Sequence, residues 1–98
     1  LELCGAPPAF VDIDPRTYNM DPEALRRKMR ELEAKGQRAR AILPVHAFGQ
    51  IAAMPEIMAA AEDISVIEDA ACALGARLDG KHAGSWGKLA CYSFHPRK

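Results

Sequence analysis

The stretch Val66-Ile67-Glu68-Asp69-Ala70-Ala71 contains a short apolar run that is followed by two carboxylates, Glu68 and Asp69. It predicts a buried β-strand with Asp69 just past its carboxyl end. Segment 89–94 repeats the pattern downstream, and Ser93 and Lys98 lie near and beyond its end. The sequence therefore places an aspartate, a hydroxyl and an amine after the ends of two predicted strands.

The chain upstream of this stretch alternates between strand and helix patterns. We expect strands over 9–13, 40–46 and 65–68, and helices over 22–34 and 55–62. Asp21 suits the N-cap of the first helix, Pro22 its first position and Gly36 its C-terminal cap. Pro44 argues mildly against the second strand, because proline cannot donate to a strand ladder. The alternation predicts an α/β fold with a parallel sheet flanked by helices.

Residues 76–88 change character, because glycines divide this segment into turns. Within it, Arg77-Leu78 and Lys81-His82 could form a small hairpin around Asp79-Gly80. Trp86 is expected to be a core residue, and the glycines around it to serve turn geometry.

Composition excludes several classes of function. The 13 basic and 13 acidic residues balance, so charge gives no reason to expect a nucleic-acid or membrane partner. No apolar run approaches the roughly 18 residues of a membrane span, and no signal peptide is visible, so we expect a cytoplasmic protein.

Cys4, Cys72 and Cys91 lack metal-ligand spacing and are expected to be reduced thiols. The chain starts without Met and stops at a candidate catalytic residue, which suggests a piece of a longer protein.

Open parallel sheets bind ligands at the carboxyl ends of their strands, so Asp69 and Lys98 should share one edge. Aspartate, serine and lysine together can hold pyridoxal phosphate (PLP). The carboxylate protonates the pyridine nitrogen, the serine binds the phosphate and the lysine forms a Schiff base. His46 also follows a strand end, where it could contact a ligand or bond to loop backbone. Arg97 is expected in a surface ion pair.

Five stretches carry a resemblance to a known family: 10–14, 45–50, 66–71, 84–87 and 92–98. In order and spacing the chain resembles the central part of the large domain of sugar aminotransferases of the DegT/DnrJ/StrS type. These are fold-type I PLP-dependent enzymes. The resemblance implies that residues 1–98 are an internal fragment of one PLP-binding large domain, about a quarter to a third of a full enzyme.

The resemblance also implies roles for single residues. Asp69 corresponds to the partner of the pyridinium nitrogen, Ser93 to a phosphate ligand and Lys98 to the internal aldimine lysine. Cys72 stands where the family commonly has Gln or His near the cofactor's phenolic oxygen, and a thiol is a weak donor.

The implied function is a PLP-dependent aminotransferase that moves an amino group from an amino-acid donor to a nucleotide-linked keto sugar. A homodimer is expected, with further phosphate-binding residues outside this chain, so the isolated fragment should be inactive. Lysine-lacking relatives carry out dehydration instead, and Lys98 argues against that branch. Two alternatives remain: a non-catalytic regulatory relative of the same fold, and a phospho-receiver domain.

Overall fold

The computed structural model describes residues 1–96 and 98, apart from the side chain of Cys4. The expected ion pair of Arg97 and thiol of Cys4 lie outside the described residues. The helices and strands follow one another as α1 (Pro22–Ala34), β1 (Ala41–Ile42), α2 (Met54–Ala61), β2 (Ser65–Asp69), β3 (Arg77–Leu78), β4 (Lys81–His82) and β5 (Leu89–Cys91). Short 3-10 turns occur at Glu2–Cys4 and Ala47–Gly49.

Three strands form a parallel sheet in the order β1-β2-β5. Ala41 pairs with Ser65 and Ile67 with Leu89, so β2 is the central strand of these three. The α/β prediction with a parallel sheet and helices is confirmed.

Pro44 does not interrupt the sheet, because its missing N–H is not needed there. Its carbonyl accepts the N–H of Asp69 at 2.9 Å, and the N–H of His46 donates to the Asp69 carbonyl at 3.0 Å. Val45 lies between them and bridges to Asp69 in parallel. Pairing therefore continues past the two-residue strand β1 to the end of β2.

Helix α1 begins and ends as its sequence predicts. The Asp21 side chain accepts from the N–H groups of Glu23 and Ala24, and Pro22 occupies the first helical position. Gly36 follows the helix with φ +67°, the left-handed conformation that glycine adopts without strain. Leu25 faces the core at 2% exposure.

The core lies on one face of the sheet. Helix α2 buries Met54, Ile57 and Ala61, which form a cluster with Leu25 and residues of the sheet, Ile42 and Val66. This burial supplies the main hydrophobic stabilisation of the fold.

The opposite face of the sheet is open. Its register places Val45, Asp69, Ile67 and Leu89 on this face, and Leu43 lies there by alternation. Leu43, Val45 and Leu89 are 40%, 50% and 63% exposed. We call this surface, defined by Leu43, Val45, Ile67 and Leu89, the open face.

The predicted strand at 9–13 is wrong. Ile13 makes only an isolated antiparallel bridge to Met20, and the N–H of Asp14 donates to Asn19 at 2.9 Å. The segment therefore pairs with the chain that directly follows it, where local closure costs less entropy than joining the sheet. The predicted strands 40–46 and 89–94 are shorter in the structure, at Ala41–Ile42 and Leu89–Cys91.

The predicted hairpin is confirmed. β3 and β4 pair antiparallel, and Asp79 and Gly80 have φ of 52° and 78°, as a two-residue turn of this kind requires. Within the described residues, α1 with 13 residues and α2 with 8 both fall short of a membrane-spanning helix.

Candidate functional site

The carboxyl edge of the sheet brings Asp69 next to the strand that leads to Ser93. Asp69 ends β2 and is the Cα partner of Cys91, which ends β5. The N–H of Ala70 donates to the Cys91 carbonyl at 2.9 Å, so the two strands remain joined at this edge. Ser93 follows Cys91 by two residues, beyond the carboxyl end of β5.

The Asp69 carboxylate is held at the start of that turn. Its Oδ1 accepts the N–H of Ala71 at 3.0 Å, an Asx-type bond that fixes the side chain next to the backbone. Within the described part of the chain, no other donor bonds to this carboxylate. Its Oδ2 can therefore accept from a ligand, which fits the protonated nitrogen of a pyridine ring.

Ser93 is partly buried, and its Oγ accepts the N–H of His95 at 3.2 Å. This bond uses a lone pair and leaves the hydroxyl proton available to donate. A hydroxyl that can still donate fits a phosphate oxygen.

Lys98 and Cys72 are both exposed. The backbone N–H of Lys98 donates to the His95 carbonyl at 3.0 Å and closes a turn. Among residues 1–96 and 98, no hydrogen bond or ion pair joins the Lys98 amine to Asp69 or Ser93. The structure thus places Asp69 at the carboxyl end of β2, while Ser93 and Lys98 follow the neighbouring strand β5 by two and seven residues.

His46, for which the sequence left two roles open, is a structural residue here. Its ring is fully buried, and Nδ1 accepts the N–H of Ala52 at 3.2 Å. Since Nδ1 accepts, the ring proton sits on Nε2, which lies 2.9 Å from Glu68 Oε2 and donates to it. His46 is therefore a neutral ring with both nitrogens bonded inside the protein.

Glu68 is the residue that sequence reasoning missed. It is fully buried, and besides His46 it accepts the backbone N–H groups of Gly84 at 2.7 Å, Trp86 at 2.7 Å and Gly87 at 2.6 Å. Burial alone raises the pKa of Glu68, but the hydrogen bonds from Gly87, His46, Gly84 and Trp86 together outweigh it and lower the pKa. The sequence did offer a clue, because Glu68 lies two residues after the apolar Val66 and so faces the same buried side of the strand. An unpaired charge there would be costly, so partners for this carboxylate could have been expected.

A surface cleft of about 280 Å³ lies elsewhere. Its lining residues are Asp14, Thr17, Asn19, Met20, Pro22, Gln50, Ile51, Ala52, Ala53, Pro55, Glu56, Leu78 and Asp79. None of the four predicted site residues lines it. Asp14 forms a turn there, with its carbonyl accepting from Thr17 and Tyr18. The described residues also contain no group of three or more His, Cys, Asp or Glu side chains arranged to hold a metal.

Comparison with known proteins identifies relatives along the whole chain. A sequence model of the DegT/DnrJ/EryC1/StrS aminotransferase family matches residues 1–98. The "Pleiotropic regulatory protein" of Geobacillus stearothermophilus is 47% identical over 96 residues, which are 96% of this chain and 24% of that protein. The "UDP-2-acetamido-2-deoxy-3-oxo-D-glucuronate aminotransferase" of Pseudomonas aeruginosa is 46% identical over 98 residues, 98% of this chain and 26% of that protein.

A solved structure shares the fold. The crystal structure of a DegT DnrJ EryC1 StrS aminotransferase from Brucella abortus matches with a TM-score of 0.94 and 39% identity. The match covers 99% of this chain and 27% of that one. The chain therefore spans about a quarter of the length of the proteins it resembles.

Proposed function

Because the chain belongs to the DegT/DnrJ/EryC1/StrS aminotransferase family, we propose that it forms part of a PLP-dependent aminotransferase. The name of a further relative, the "Putative pyridoxal phosphate-dependent aminotransferase EpsN" of Bacillus subtilis, supports the cofactor. Residues 1–98 are then one portion of a PLP-binding large domain, since the matched relatives are about four times longer.

The register between Asp69 and Cys91 is the observation that carries this proposal. At this sheet edge, Oδ2 of Asp69 accepts no hydrogen bond from any described residue. The segment that leads to Ser93 begins at the same edge. The pyridine nitrogen and the phosphate of PLP belong to one small molecule, with the phosphate on a side arm of the ring. Acceptor and donor groups at one edge therefore suit both ends of the cofactor.

Each residue has a separate task in this proposal. PLP, when bound, draws electrons away from the carbon that carries the amino group. Asp69 would keep a proton on the ring nitrogen, Ser93 would donate to the phosphate, and the Lys98 amine would hold the cofactor covalently. When not bound to the cofactor, the Lys98 amine would hold or move a proton as general base and acid. Cys72 offers the phenolic oxygen only a weak donor.

The substrate proposed is a nucleotide-linked keto sugar, with an amino acid such as glutamate as the donor. Relatives named as UDP-sugar, GDP-sugar and dTDP-sugar enzymes support the sugar class. We also propose a homodimer, as the resemblance implies, and a cytoplasmic location.

A regulatory role is the second candidate, and the name of the Geobacillus relative favours it. The presence of Asp69, Ser93 and Lys98 favours the enzyme, because a regulator does not need all three. The phospho-receiver interpretation fits less well, since the β3–β4 hairpin occupies the region between Asp69 and Ser93 where a receiver has a helix.

The test uses the full-length protein that contains this segment. UDP-, GDP- and dTDP-linked keto sugars are supplied with glutamate and PLP, and 2-oxoglutarate and the amino sugar are measured by mass spectrometry. We expect amine transfer to at least one sugar and none by Lys98→Ala. Bound PLP without transfer to any sugar would favour the regulatory role, and absence of PLP binding would reject the proposal.

A further inference from the structure

Glu68 precedes Asp69 in β2, and its carboxylate is the meeting point of four hydrogen-bond donors. We infer that Glu68 is a positioning residue: by joining His46 to the loop 83–87, it fixes the end of β2 so that Asp69 is presented to the cofactor. This inference rests on the proposed function. It assigns Glu68 no contact with the cofactor or the substrate.

Strand geometry links the two neighbouring side chains. Burial alternates along β2, with Val66 and Glu68 buried and Ile67 and Asp69 partly exposed on the open face. Successive side chains of a strand point to opposite faces. Rotation of the strand end that moved the Glu68 carboxylate would therefore also move the Asp69 carboxylate.

The bonds of Glu68 reach both sides of β2. On one side is His46, whose backbone N–H also donates to the Asp69 carbonyl at 3.0 Å. On the other side are Gly84, Trp86 and Gly87 in the loop that leads into β5. The end of the central strand is thus held, through one carboxylate, by the segment after β1 and by the loop before β5.

The loop lies directly on the strand. A Cβ added at Gly87 would come within 2.5 Å of the Val66 carbonyl oxygen, so only glycine fits this approach. The N–H of Lys88 donates to the same carbonyl at 2.8 Å. The 83–87 loop therefore cannot shift without disturbing β2.

The network needs a carboxylate at this position. Its two oxygens accept from four N–H groups, two on each oxygen. A glutamine would turn its NH₂ group toward N–H donors in either orientation. His46 cannot relieve this by moving its proton, because Nδ1 already accepts from Ala52.

The test compares Glu68→Gln with Val66→Ala in the full-length protein. Val66 lies two residues earlier on the same buried face, so its truncation lowers stability without touching the polar network. The measurements are PLP affinity from cofactor absorbance, the pH titration of that absorbance, and the melting temperature. By analogy with residues that support metal ligands, Glu68→Gln should weaken PLP binding about 10-fold or more. It should also shift the cofactor titration, and Val66→Ala should do neither.

A second pair of variants serves if Glu68→Gln does not fold. His46→Gln keeps one donor and one acceptor, whereas His46→Leu has neither. We expect His46→Leu to weaken PLP binding and His46→Gln to retain most of it.

Each outcome separates the two claims. The inference alone would be overturned if the wild-type protein binds PLP and Glu68→Gln binds it as tightly as Val66→Ala does. Equal PLP affinities of His46→Leu and His46→Gln would overturn it in the same way. A wild-type protein that binds no PLP would overturn the proposed function and this inference with it.

Discussion

Asp69 and Cys91 are register partners at the ends of the parallel strands β2 and β5. This pairing makes residues that are far apart in sequence neighbours at one edge of the sheet. It follows from the apolar character of both segments, which favours their pairing as adjacent strands of a parallel sheet. The chemistry proposed for this edge depends on that pairing.

Asp69→Asn in the full-length protein should keep the shape of the turn and lose the charge that holds the ring proton. We expect kcat to fall by about 100-fold or more, roughly 3 kcal/mol of barrier. Steady-state kinetics with saturating sugar measure this. Asp63→Asn, which removes an exposed carboxylate paired with Arg38, is the matched control and should have little effect. A loss for Asp69→Asn below about 5-fold would show that another group protonates the ring.

Ser93→Ala should weaken PLP binding, because it removes the hydroxyl group that is proposed to donate a hydrogen bond to the phosphate. A hydrogen bond to a charged group supports an increase of about 10-fold in the dissociation constant. Ser85→Ala is the control, since its hydroxyl donates to the His82 carbonyl at 2.7 Å in a turn. Equal affinities for the two variants, measured by equilibrium titration, would remove Ser93 from the site.

Glu31 gives a pH-dependent prediction away from the site. Hydrogen bonds from Lys28 and then Lys35 lower the pKa of Glu31 to about 2 from 4.5. Because the folded pKa is the lower one, the stabilisation is complete above about pH 4.5 and is lost as the pH falls toward 2. Carboxyl NMR titration should show a larger upward shift of this pKa in Lys28→Ala than in Lys35→Ala. The opposite order would assign the main contact to Lys35.

The isolated 98-residue chain should neither attach PLP nor transfer amines. Leu43, Val45 and Leu89 remain exposed on the open face, and uncovered apolar sheet surface favours association. Light scattering and a hydrophobic dye, with the full-length protein as control, should detect this surface. A monodisperse chain with stoichiometric PLP on Lys98 would contradict the requirement for the missing parts of the enzyme.

Local sequence signals predicted most elements of the fold. Asp21, Pro22 and Gly36 bound α1 through their own backbone preferences, and Asp79-Gly80 predicts its turn in the same way. The strand predicted at 9–13 failed because a short apolar run does not reveal its partner. Here Ile13 pairs locally with Met20 instead of entering the sheet.

The candidate site was predicted in part. The placement of Asp69 follows from its position at the carboxyl end of the apolar run of β2, and the chain's family membership supports its proposed role. The pairing of His46 with Glu68 could not be predicted, because it depends on which face of each strand the helices cover. The position of the Lys98 amine relative to Asp69 stays a prediction.

Borohydride reduction of the PLP-loaded full-length protein, followed by peptide mass mapping, tests the central claim most directly. The account predicts a stable PLP adduct on Lys98 and loss of that adduct in Lys98→Ala. Lys88→Ala, which removes another exposed lysine, should keep it. Label on Lys81 or Lys88, or no label in a protein that binds PLP, would contradict the assignment of Lys98.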